Sequence, residues 1–170
     1  MRIKQEESEI QSIRFRTTQA ARSMLSVLNR KMLTLVSHCA DMLELCFDDA
    51  DAVNDTPYIL HVQSSFAIWD EQTVLFENRD FYTMQSGEND SGAGQPFAEK
   101  LASLNQKLNG CCVAKAVVDR DWLCIGLDNG VQIEIDTDEE EKNDETWRFF
   151  KLDDTSPHLI AYRHRFEWIH

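Results

Sequence analysis

The segment Trp122–Ile135, WLCIGLDNGVQIEI, constrains the fold more than any other. Alternating apolar and polar residues flank Asp128, Asn129 and Gly130, so the question is which loop keeps the apolar residues on one face. A two-residue Asn-Gly loop sets Leu127 against Gln132 and Ile125 against Glu134. A three-residue loop pairs Leu127 with Val131, Ile125 with Ile133 and Leu123 with Ile135. Directly opposed residues share a face of a sheet, so the three-residue loop is the self-consistent register. It predicts a type I turn with Gly130 left-handed in a bulge. Cys124, Gln132 and Glu134 then lie on the outer face.

The same reasoning extends along the chain. Leu43, Leu45 and Phe47 alternate with Glu44 and Cys46, which reads as a half-buried strand. LTLVS before it is its partner, with SHCAD turning between them; a helix running through this region is the alternative. YILHVQSSFAIWD places Leu60, Val62, Phe66 and Ile68 in one parity and reads as one long or bent strand. TVLFENRDFY is a further strand and exit. CVAKAVV precedes the hairpin as its third strand. The C-terminal stretch from Glu145 reads as two strands, the last with Ile160, Tyr162, Phe166 and Trp168 opposite Arg163, Arg165 and Glu167. DDADAVNDTP at 48–57 and MQSGENDSGAGQP at 84–96 read as loops.

Two helices are expected. Phe97, Leu101, Leu104 and Leu108 recur at helical spacing over 97–109, between Pro96 and Gly110. Residues 6–29 place Ile10, Ile13, Thr17, Ala20, Met24, Val27 and Leu28 on one face, with Glu6, Glu7 and Glu9 in the first turn. The expectation is an α+β fold: a bent, mostly antiparallel sheet, barrel-like or two-layered, with these helices packed on it. Residues 1–30 form an N-terminal helical extension and 31–170 the domain.

Charge narrows the functions. The chain carries -13. Residues 1–31 hold seven basic and three acidic residues, +4, so the remainder carries -17. Such a body repels nucleic-acid phosphates and anionic lipid heads and attracts a basic protein. No window reads as a membrane span and no secretory leader is evident, so a cytoplasmic protein is expected. The five cysteines, an odd count with Cys111 and Cys112 adjacent, are expected to be reduced.

The motifs for chemistry fail one by one. An EF-hand loop started at Asp136 puts Glu141 where glycine belongs and Trp147 where glutamate belongs; one started at Asp49 ends on Leu60. GAGQPF has Phe97 in place of the third glycine of a dinucleotide fingerprint. His158, His164 and His170 share strand parity but would span roughly 20 Å. His38 and His61 are placed to meet only if their strands pair. No catalytic, metal or cofactor assignment follows. The remaining candidate is the acidic run Asp136, Asp138, Glu139, Glu140, Glu141, Asp144 and Glu145, with Arg148 beside it. It is either a solvated turn or a landing site for a basic partner.

The blocks ADMLELCF, LHVQSSFAI, NRDFY, DNGVQIEI and ETWRFF…PHLI occur in that order. Together they resemble a family of small bacterial proteins of unknown function, built as a hairpin, an L-H-x-Q strand, an R-D-x-Y segment, a helix, turn-linked hairpins and a W-R-x-F strand. The likeness runs from about residue 31 to 160 and supports the strand assignments. It brings no role for His61, Gln63, Arg79, Asp80, Trp147 or Arg148. Three readings are therefore carried forward. The first is a non-enzymatic protein that binds a basic partner, for instance immunity- or antitoxin-like. The second is a ligand-binding protein or enzyme with a pocket between the sheet and the 97–109 helix. The third is a homo-oligomer assembled through residues 6–29.

Overall fold

The computed structural model describes residues 17–51, 56–86, 96–138, 141 and 143–170. Helix α1 covers residues 17–25 and tightens into a 3-10 turn at Ser26–Leu28. Strands β1 (Met32–Cys39), β2 (Met42–Asp48), β3 (Tyr58–Val62), β4 (Ser65–Asp70) and β5 (Thr73–Glu77) follow. Next come α2 (Arg79–Ser86), α3 (Phe97–Leu108), β6 (Cys111–Val118), β7 (Trp122–Leu127) and β8 (Gln132–Asp136). The chain ends with β9 (Glu145–Lys151), β10 (His158–Tyr162) and β11 (Arg165–Ile169). The antiparallel α+β expectation holds.

The strands form one open sheet in the order β11-β10-β9-β3-β2-β1-β6-β7-β8-β4-β5. It does not close into a barrel. It has two halves, six strands from β11 to β1 and five from β6 to β5. They meet at a short seam where β1 pairs with β6 only through Met32–Cys112 and Leu33–Cys111. Past Leu33 the two strands part, and Val36 would lose its ladder partners. The Asn105 side chain of α3 replaces them: Val36 N–H donates to its Oδ1 at 2.8 Å, and its Nδ2 donates to Val36 O at 2.7 Å.

The halves share one core. Leu43, Leu45, Phe47, Leu60, Val62, Trp147, Phe149 and Leu159 from one half join Phe66, Ile68, Leu123, Ile125, Ile133 and Ile135 from the other in a single buried cluster. Burying this apolar surface supplies the main drive to fold. The hairpin register is as expected, Leu123 against Ile135 and Ile125 against Ile133, with Leu127 N–H on Val131 O. Gly130 is left-handed at φ 88°. Helix α3 also matches, burying Leu104 and Leu108 beneath Phe97 and Leu101. The rings of Phe66, Phe76, Phe81, Phe97 and His38 pack together between α3, α2 and the sheet.

Several expectations are corrected. The buried stripe of α1 is Thr18, Ala21, Leu25 and Leu28, and Ala20 is exposed. The expected face is rotated by about one position, and Ile10 and Ile13 lie outside the described residues. Ala21, Leu25 and Leu28 belong to the sheet's own core cluster. YILHVQSSFAIWD is two strands, not one: Gln63 and Ser64 turn a corner, both donating their N–H to Thr146 O. A short helix, α2, occupies part of the segment read as strand exit and loop. Three strands, not two, follow Glu145. The last breaks at Arg163–His164, so Ala161 opposes Phe166 and Ile160 opposes Glu167. Ile160 and Phe166 therefore lie on opposite faces. Among the described residues, no helix is long and apolar enough to cross a membrane.

Candidate functional site

The acidic run lies in the β8–β9 connection, which carries the chain from the five-stranded half to the six-stranded one. Asp136, Asp138, Glu141 and Asp144 are exposed, while Glu139 and Glu140 lie outside the described residues. Asp138 pairs with Arg163 at 3.6 Å. Among the described residues Asp136, Glu141 and Asp144 form no ion pair. Glu145 and Arg148 differ from the rest of the run. Arg148 donates Nε and Nη2 to the two carboxylate oxygens of Glu145 at 2.9 and 2.6 Å, and Gln63 Nε2 adds a third bond at 3.3 Å. That fork neutralises both charges. Trp147 turns inward, as expected of a residue alternating with Arg148, and is 1% exposed.

Arg148 belongs to a second constellation that the sequence reading did not assemble. The outer face of the six-stranded half carries two transverse rows, each fixed by strand register. The polar row is Ser37, Glu44, His61, Arg148, Ile160 and Glu167, each opposed to the next. Ser37 Oγ donates to Glu44 Oε1 at 2.8 Å, and His61 Nε2 lies 2.9 Å from Glu44 Oε2. The adjacent row is Leu35, Cys46, Ile59, Phe150, His158 and Ile169. His158 stacks on Phe150 at 4.5 Å between ring centroids, and His61 meets the same ring edge-on at 5.1 Å. Ile59, Phe150 and Ile160 are buried yet lie outside the main core cluster. They form a separate apolar island on the outside of the sheet. Burial and the neighbouring Arg148 charge push the His158 pKa down.

The signal for this face was present in the apolar doublets Ile59-Leu60, Phe149-Phe150 and Leu159-Ile160. A strand wet on one face alternates; a doublet buries both faces. His38 and His61, which the spacing allowed but did not require to meet, stand apart: His38 opposes Leu43 on the inner face, whereas His61 opposes Glu44 on the outer one.

A third group gathers at the end of the five-stranded half. Asp121 from the β6–β7 turn, Asp138 after β8 and His164 from the β10–β11 turn place their ligating atoms within 4.8 Å of one another. Two oxygens and one nitrogen suit a divalent transition metal. Each carboxylate, however, already faces an arginine, Arg120 at 3.4 Å from Asp121 and Arg163 at 3.6 Å from Asp138. His164 Nδ1 and its backbone N–H both contact Asp121 Oδ1. The group works as a latch that holds the left-handed His164, φ 67°, in its turn.

Hydrolytic chemistry finds no support in these groups. A serine nucleophile needs its hydroxyl on an imidazole, and Ser37 instead contacts Glu44. The cysteines are all free. Burial pushes the Cys46 thiol up to about 11, helped by Glu44 and Asp48, and raises Cys111 and Cys124 as well. A thiol so raised stays protonated near neutral pH and is a poor nucleophile.

The chain matches no family model, no curated protein and no solved structure. No residue role comes to it by descent, and the sites rest on their own geometry.

Proposed function

We propose that this chain is a non-catalytic binding protein whose acidic surface, centred on the β8–β9 connection, engages a basic protein partner. The observation that carries this reading is the exposure of Asp136, Glu141 and Asp144 without ion-pair partners among the described residues, on a chain of net charge -13. Several other acids are paired: Glu145 with Arg148, Asp121 with Arg120 and His164, Asp80 with Lys100. Carboxylates left unpaired in a row make a field that steers a cationic surface to them. A small bacterial immunity- or antitoxin-like protein in the cytoplasm is the concrete form of this reading. The packed rings between α3 and the sheet leave the ligand-pocket reading without a favouring observation.

The test is capture from a native lysate across a salt series, followed by charge reversal of Asp136, Asp138, Glu141 and Asp144 to lysine. The expected result is a basic partner, lost by about 0.5 M salt as screening shortens the range of the field, and lost in the reversed protein. Capture indifferent to both salt and reversal overturns the reading, as does absence of any captured basic protein.

A further inference from the structure

We propose that the latch formed by Asp121, Asp138 and His164 is a binding site for one divalent transition cation, with Thr137 taking a water that the cation carries. The proposal goes beyond the basic-partner reading and shares only Asp138 with it.

Three segments far apart in the chain meet here: the β6–β7 turn, the end of β8 and the β10–β11 turn. Two carboxylate oxygens and one imidazole nitrogen lie within 4.8 Å of one another. Three such ligands and a water make the open four-coordinate site in which zinc is commonly held. The imidazole favours a transition ion over calcium or magnesium, which take oxygen ligands. The arginines beside the carboxylates do not bar it. Their contacts, 3.4 Å for Arg120 and 3.6 Å for Arg163, are longer than the roughly 2.7–2.9 Å of a charge-assisted hydrogen bond. Loose pairs near the surface contribute little and give way to a dication between the two acids.

A second observation points to the same place. Leu123 opposes Ile135 on the inner face, and two residues further on Thr137 N–H donates to Asp121 O at 3.0 Å. The register thus sets Thr137 opposite Asp121, and directly opposed residues share a face. One step beyond the Ser65–Asp136 pair, the next ladder brings Ser64 to the other side of Thr137. Thr137 is 2% exposed and Ser64 1%, yet neither hydroxyl has a hydrogen-bond partner. A buried hydroxyl left in that condition marks a bound water or ion. Thr137 stands opposite one ligand and next in sequence to another, so its hydroxyl is the acceptor for a water on the cation. Ser64 extends the same polar floor beneath it.

Calorimetric titration of the full chain with zinc, after chelator treatment and dialysis, tests the proposal. The expected result is one saturable site per chain, with a rise in Tm because the ion binds the folded form. Zinc should shift the ring proton resonances of His164 and leave those of His158, at the other end of β10, in place. His164→Asn keeps a residue that tolerates the left-handed backbone and should weaken zinc by about a hundredfold or more, whereas Thr137→Val, nearly the same shape, should weaken it by about tenfold. Glu141→Gln with Asp144→Asn, exposed acids outside the triad, should leave the affinity unchanged. The ring resonances need no variant, so a misfolded His164→Asn leaves the test intact. Uptake that never saturates, zinc that leaves the His164 resonances unmoved, affinity indifferent to His164→Asn or to Thr137→Val, or an equal loss in the Glu141 and Asp144 variant overturns the proposal.

Discussion

The two halves of the sheet share a core but differ on the outside. In the five-stranded half, β7 and β8 alternate cleanly: Leu123, Ile125, Ile133 and Ile135 are buried, while Cys124, Gly126, Gln132 and Glu134 lie outward and stay at least partly exposed. In the six-stranded half, β3, β9 and β10 bury neighbouring residues on both sides, Ile59 with Leu60, Phe149 with Phe150, and Leu159 with Ile160 and Ala161. Clean alternation describes a sheet whose outer face has water as its only neighbour. Two-sided burial describes one whose outer face has packing of its own. The comparison therefore separates a half packed on its inner face alone from one packed on both.

Breaking the inner faces should cost most in either half. Trp147→Ala should lose about 3–5 kcal/mol, the range for a large aromatic removed from a close-packed core. Urea unfolding checks this, with the midpoint falling and the slope unchanged. The outer faces should then diverge. Ile160→Ala removes part of the outer island and should cost about 2–3 kcal/mol. Cys124→Ala, outward on the other half, should stay within about 0.5 kcal/mol as an ordinary surface change. Equal costs for these two would erase the distinction between the halves. Gly130→Ala, in the hairpin turn, should cost about 1–2 kcal/mol through its left-handed backbone alone, since a Cβ there meets nothing within 4 Å.

The smallest effect concerns pH. His158 has a pKa lowered in the folded state, first by burial and then by Arg148. A lowered histidine pKa means the unfolded chain takes up the proton first. Its contribution is present above the ordinary value of about 6.5 and is lost as pH falls below it. Arg148→Met should move the His158 titration upward, followed by its ring proton resonances. No histidine lies in β4 to β8, although His164 reaches that half through Asp121, so the ring resonances of His158 itself are the readout.

Much of the fold was legible in the sequence where one periodicity ran unopposed. The Leu123–Ile135 hairpin and α3 each carry a single clear spacing, and both stand where expected. The β10–β11 turn was not legible. Arg163-His164 has none of the usual turn residues, and His164 keeps its left-handed backbone by contact with Asp121, far away in the chain. Helix α2 is short, and Phe81 is its one deeply buried residue among those whose side chains are described. Of the acidic run, Glu145 and Arg148 proved to be partners of each other. The outer rows escaped notice because each residue in them looks ordinary within its own strand. Only the register between six strands aligns Glu44, His61 and Arg148.

Met32 and Leu33 are the residues of β1 that pair in register with β6, and beyond them Asn105 clasps Val36 where the neighbouring strand has departed. A sheet bound at its middle by so few rungs resembles a book whose covers are stiffer than its spine. Each cover keeps its own hairpins when the spine gives, so the earliest opening of this molecule should run along that line. Amide protons of Val36 and Val113 should then exchange ahead of those deep within β2, β3 and β7.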